Sequence, residues 1–187
     1  MDSKKISILV VFAALTVFLN ISPIKIPAPY APFLIYQLWE IPIVTVSILY
    51  GFQMGVSVSI INTLILLLIY PGALPTGPIY NFIAVLSMLS GIYIVKKLYL
   101  TFIKIYNEKI SNIASTILGM IMRVIVMTIL NWIVLPFPPP IGFSLPLDIT
   151  IAYLPLIGFF NATLALYTIP LGLMLAKAVN DRLNISQ

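Results

Sequence analysis

The chain has 187 residues, of which 61% are hydrophobic and 8% charged, against about a quarter charged in soluble domains. That composition excludes a water-soluble globular domain, and the net charge of +5 comes without the dense basic patch that nucleic-acid binding needs. The absence of Cys and His removes disulfides, thiolate metal sites and the commonest general base.

Residues 1–5 form a short polar, basic start. Residues 6–22 then predict a first membrane helix. A signal peptide is the competing reading, but the small-residue cleavage site is missing. Residues 23–32 (PIKIPAPYAP) carry four prolines and predict a stiff extended loop, because proline removes a backbone donor and clashes with the preceding turn.

Helix 2 is expected over 33–50, with a tight turn at Gly51 and Phe52. Helix 3 is expected over 53–70, followed by the turn 71–78 (PGALPTGP). Helix 4 is expected over 79–98, then a polar segment, 99–112, as an interfacial or short cytoplasmic helix. Helix 5 is expected over 113–135. A second proline-rich loop, 136–146, precedes helix 6 at 149–179, which is longer than one crossing and reads as interrupted near Pro155 or Pro170. The apolar runs are continuous rather than alternating, which favours helices over a barrel. Runs of about 20 residues are the length a helix needs to cross a bilayer. The expected fold is an all-α membrane protein, a single domain of six transmembrane helices over residues 1–187.

Basic residues set the orientation. With six helices both termini share one side, and that side collects Lys4, Lys5, Lys96, Lys97, Lys104, Lys109, Lys177 and Arg182, against Lys25 alone opposite. Both termini are therefore expected in the cytoplasm, in a multi-pass protein of the cell membrane.

The polar residues inside these runs carry the functional signal. An ionisable side chain at the bilayer centre costs about 2.5–3.5 kcal/mol on insertion scales, so it faces a protein interior or a cavity. At about 1.5 Å per residue, Glu40 falls roughly 10 Å below the outer surface, Asn131 roughly 8 Å, Asn62 roughly 12 Å and Asn161 roughly 15–18 Å. Asn81 falls just inside the outer end of helix 4. Five spans thus bring polar groups to the outer half, the few placed groups that orient a ligand in an apolar pocket. Tyr36, Gln37, Trp39 and Trp132 lie beside them. The plainer alternatives are structural: Asn as helix–helix glue worth about 0.6 kcal/mol, and Trp39 and Trp132 as interfacial belt residues. Arg123 shares a helix face with Met127 and Asn131. Three roles stay open for it: snorkelling to the cytoplasmic interface, pairing with Glu40, or contacting a partner.

These stretches resemble a known family, the substrate-binding S components of energy-coupling factor (ECF) vitamin transporters, and the riboflavin type most. The resemblance spans nearly the whole chain. It lies in PFLIYQLWEIP followed by ILYGFQMGVSVSIINTLI, in YNFIA around Asn81, in VMTILNW at the end of helix 5, and in FFNATLALY in helix 6. It implies a six-helix bundle whose proline-rich loop closes an outward-facing site. It also implies that Glu40, Asn81, Asn131 and Asn161 match the site or its supporting polar residues. The pattern departs in two places: Leu164 stands where riboflavin-type members usually carry Lys, and Gln37 where an acid is common. The implied partners are a vitamin, a membrane coupling subunit and two ABC-type ATPases. The small residues Ala13 and Ala14 on helix 1, with Gly51 and Gly55 of a small-xxx-small row on helix 3, would dock the coupling subunit.

Two readings compete. A membrane enzyme is disfavoured, because the acids Asp2, Glu40, Glu108, Asp148 and Asp181 are scattered and no phosphate-binding GxxxxGK[ST] loop is present. No catalytic residue, metal or cofactor is expected. The other reading is a structural subunit of a larger membrane complex, with no ligand of its own.

Overall fold

In the computed structural model, residues 3–69, 74–102 and 107–183 are described. The expected end of helix 3 at Tyr70, the first three residues of the turn after it, and Lys104 lie outside these residues. The elements run α1 (Ser3–Ile21), β1 (Ile26–Ala28), β2 (Ala31–Tyr36), α2 (Glu40–Tyr50), α3 (Phe52–Ile69), α4 (Gly77–Phe102), α5 (Glu108–Val134) and α6 (Leu147–Leu183). The fold is a six-helix bundle. Five of the helices, all but α2, are long and apolar enough to cross a membrane, and the chain is a multi-pass membrane protein.

The expected helix over 33–50 is corrected. Its first part belongs to an antiparallel hairpin with β1, in which Ile26 pairs with Tyr36, Pro27 with Ile35, and Ala28 with Ala31 across a bulge. The prolines that forbid helix also suit short edge strands. An apolar run such as FLIY reads equally as strand or buried helix by periodicity. The expected extended loop at 23–32 is likewise part of this hairpin.

Helix α2 therefore has only 11 residues, about 16 Å at the usual rise, roughly half the hydrocarbon thickness. Pro42 sits in its first turn, where the backbone donor it lacks is not needed. Nine of its residues are buried, from Glu40 through Ser47 together with Leu49. The helix is a short post packed against α6, α3 and α1, with a smaller contact to α4. Gly51 ends it at a φ of 95°, in the left-handed region that favours glycine, and its N–H donates to Ser47 O at 3.0 Å.

Packing runs α4 on α5, α5 on α6, and α2 between α6 and α3, with α1 on α3 and α2. The core is built from Ile43, Val44, Val46, Val58, Val85, Met88, Leu89, Ile92, Ala165 and Ile169. Helix α6 is one continuous helix of 37 residues with Pro155 and Pro170 inside it, so the expected interruption is not there. Membrane helices tolerate such prolines because neighbours and local adjustments re-satisfy the freed carbonyls. Of the polar segment 99–112, expected as a helix of its own, residues 99–102 belong to α4 and 108–112 to α5, which is capped by the Asn107 side chain accepting from Ile110 N at 3.3 Å.

Small residues set the helix spacings. A Cβ on Gly91 would stand 2.7 Å from Gly119 Cα and from Leu118 O, and one on Gly55 2.7 Å from Ser47 Cβ. Gly55 and Ala13 are thus spent on contacts within the chain, and both are buried. Ala14 and Gly51 are exposed.

Candidate functional site

The hairpin sits on α6 through aromatic side chains. Buried Ala28, Phe160 and Leu164 pack with half-buried Tyr30, Leu34, Tyr36 and Tyr167. Tyr36 stacks on Phe160 at 4.9 Å between ring centroids, tilted, and meets Tyr167 edge-on at 6.1 Å. Tyr30 meets Phe159 edge-on at 5.2 Å.

A chain of hydroxyls runs along this seam. Tyr36 Oη lies 2.6 Å from Tyr30 Oη and 2.6 Å from Thr163 Oγ1. Thr163 Oγ1 itself donates to the helix carbonyls of Phe159 and Phe160 at 3.0 Å. Its one hydrogen is therefore committed, so Tyr36 donates to Thr163 and Tyr30 donates to Tyr36. Burial and this bond push the Tyr30 hydroxyl above its ordinary pKa. Tyr36→Phe removes the middle link. It is expected to cost about 1 kcal/mol per lost bond and to open the hairpin to protease more often, measured as faster limited proteolysis within residues 23–38 and an unchanged rate elsewhere.

Between the hairpin and α6 lies an open groove of about 380 Å³, lined by Ile24, Ile26, Tyr36, Gln37, Leu38, Thr163 and Tyr167. The linker from β2 to α2 forms one wall. It is pinned by Tyr167 Oη, which donates to Gln37 O at 2.6 Å. The next residue but one, Trp39, is 4% exposed and packs into the core instead of lining the groove.

The first residue of α2, Glu40, marks a second polar layer. Arg123 of α5 grips its carboxylate with both terminal nitrogens, Nη2 to Oε1 at 2.9 Å and Nη1 to Oε2. Arg123 Nε donates to Asn161 Oδ1 of α6 at 2.9 Å, and Asn161 Nδ2 donates to Ile157 O at 2.9 Å. All three residues are under 5% exposed. The pair is planar, bidentate and internally neutral, the geometry in which a guanidinium matches a carboxylate best. It ties α2, α5 and α6 at one level. Such an arrangement holds helices in register, with each oxygen of Glu40 accepting from Arg123.

The predicted site residues thus divide. Tyr36 and Gln37 line the groove; Glu40 and Asn161 meet through Arg123. Asn62 of α3 lies elsewhere, accepting from Asn20 Nδ2 of α1 at 3.4 Å. Asn131 donates to its own helix at Met127 O, 2.7 Å away. Asn81 is exposed, and Trp132 is half exposed, as a belt residue would be. Of the roles open to Arg123, the structure shows the pairing with Glu40. The sequence reading missed Tyr30, Thr163 and Tyr167. The signal for the last two was present: they are four apart on one face of α6, beside Phe160 and Leu164.

At the opposite end of the bundle a smaller cavity of about 180 Å³ is lined by polar residues including Lys96, Glu108, Asn112, Lys177, Asn180 and Asp181. Lys177 and Glu108 are 3.4 Å apart there and exposed, a separation and setting worth little.

Neither a family model nor a curated protein matches the sequence. Among solved structures, the S component of a bacterial ECF transporter superposes with a TM-score of 0.77 at 24% identity, over 98% of this chain and 99% of that one. The likeness is one of fold. The class it defines is that of helical-bundle membrane proteins sharing the architecture of that S component.

Proposed function

We propose that the chain is the substrate-capturing membrane subunit, the S component, of an ATP-driven ECF transporter. In this reading it takes up a vitamin or a similar small ring-containing nutrient, with riboflavin the first candidate. The single observation that carries the reading is the end-to-end likeness of fold to an S component. The groove beside the hairpin supports it, since its volume lies within the range of small-molecule sites.

Tyr36, Gln37 and Tyr167 would contact the ligand, and Glu40, Arg123 and Asn161 would hold α2, α5 and α6 in register beside them. The hairpin, seated on α6, would cover the site from outside, with both termini in the cytoplasm. Turnover would come from partners: a membrane coupling subunit and two ABC-type ATPases. The exposed small residues Ala14 and Gly51 would form part of the surface for the coupling subunit.

The test is purification from membranes of cells grown with candidate vitamins, followed by mass spectrometry of what heat releases from the protein. A ring-containing nutrient is expected, rebinding with roughly micromolar affinity or tighter. A protein that releases nothing and binds none of the vitamins would favour the structural-subunit reading.

A further inference from the structure

The cavity of about 180 Å³ at the far end of the bundle draws its polar residues from three helices. Lys96 comes from α4. Glu108 and Asn112 stand one turn apart on α5, and Lys177, Asn180 and Asp181 share a face of α6. Most of its lining surface is polar, unlike that of the groove at the hairpin. It lies at the depth of lipid headgroups: Lys96 is three residues before the end of the α4 span at Tyr99, and Glu108 opens the α5 span. Lys96, Lys97, Lys109, Lys177 and Arg182 mark this side as the cytoplasmic one.

The groups in this cavity are loosely committed. Lys177 and Glu108 stand 3.4 Å apart with side chains 61% and 50% exposed, so either can turn to a ligand with little loss. The Lys96 ammonium is half buried and, among the described residues, makes no hydrogen bond or ion pair. Asn180 Oδ1 is buried without a hydrogen-bond partner, an acceptor left for an N–H donor. Both kinds of demand are thus present: donors that lack an anion, and acceptors that lack a donor. The formal charges balance, two ammonium groups against two carboxylates. A purely anionic ligand would meet Glu108 and Asp181, and a purely cationic one Lys96 and Lys177. The volume matches about six water molecules, room for a headgroup and not for a large ring.

We infer that this cavity binds a small zwitterion carrying a primary ammonium and a phosphate, the phosphoethanolamine class. Lys96 and Lys177 take the phosphate, and Glu108, Asp181 and Asn180 accept from the ammonium. At this depth the zwitterion at hand is a phospholipid headgroup; soluble glycerophosphoethanolamine carries the same chemistry. The site goes beyond the capture role proposed above and does not depend on it.

The experiment titrates the full chain in detergent with phosphatidylethanolamine, phosphatidylglycerol and phosphatidylcholine of identical acyl chains, and counts bound lipid by native mass spectrometry. The ethanolamine lipid is expected to bind about tenfold more tightly than either of the others, the effect of one charge-assisted hydrogen bond. Phosphatidylglycerol has no ammonium, and the choline group has no N–H to donate. Glu108→Gln/Asp181→Asn is expected to erase that preference. Lys96→Gln/Lys177→Gln is expected to weaken all three lipids about tenfold, with melting temperatures of both double variants within a few degrees of wild type. Displacement of bound lipid by glycerophosphoethanolamine would assign the affinity to the headgroup alone; failure to displace would assign it to the intact lipid. Equal binding of the three lipids, or a preference that survives Glu108→Gln/Asp181→Asn, overturns the inference. Binding of neither the ethanolamine lipid nor its soluble headgroup overturns it too. Each of these outcomes leaves nutrient capture standing, because that is read from what the purified protein releases.

Discussion

Arg123→Met alone is expected to destabilise the bundle by about 3–5 kcal/mol, because it strands the Glu40 carboxylate in the interior without its partner. The carboxylate is 2% exposed and its hydrogen bonds come from Arg123. Methionine keeps much of the arginine volume, so the loss is electrostatic rather than a cavity effect. Glu40→Leu alone strands the guanidinium instead and is expected to cost a similar amount. The double variant Glu40→Leu/Arg123→Met removes both charges together. It is expected to recover most of the loss, since apolar residues of similar volume often replace a buried pair at no net cost. Thermal unfolding in detergent, followed by circular dichroism, measures all four proteins. A double variant as unstable as the sum of the singles would show that the two charges do not compensate each other.

Gly91→Val is expected to be the next most damaging change, at about 3 kcal/mol or more. Its first added carbon would stand 2.7 Å from backbone atoms of Leu118 and Gly119. Backbone cannot swing aside as a side chain does, so α4 and α5 would have to separate. Ile169, Met88 and Ile92 close the same crossing from the other side of Gly119, so separation would loosen the core near Arg123 as well. Gly77→Ala is the control: nothing stands within 4 Å of the added carbon, and the change is expected to move stability by less than about 0.5 kcal/mol. Equal melting temperatures for Gly91→Val and wild type would refute the close crossing.

Much of the architecture was legible in the residue pattern. Five long apolar runs set five spanning helices, and proline clusters set every break between them except the polar one before α5. The sixth run misled because apolar character alone does not distinguish a strand plus a short helix from one long helix. That mistake moved Glu40 from the middle of a helix to its first residue. The continuity of α6 through Pro155 and Pro170 was also hidden, since a proline's tolerance depends on what packs beside it.

The site was legible by residue type and less so by placement. A carboxylate and an amide in an apolar span had to have partners, and Glu40 and Asn161 have them. Depth along each helix follows from counting residues at a fixed rise. Which way a side chain faces depends on how each helix is rotated about its axis, and packing sets that rotation. Asn62 therefore turned to α1, Asn131 to its own backbone, and Arg123 to Glu40. The sequence by itself determined a membrane bundle, its order of spans and the presence of buried polar groups, because the bilayer imposes those requirements on each segment separately. Only the tertiary structure decided that a hairpin seats on α6 beside a closed ion pair, because those contacts join residues up to 130 positions apart and form only when the helices have packed.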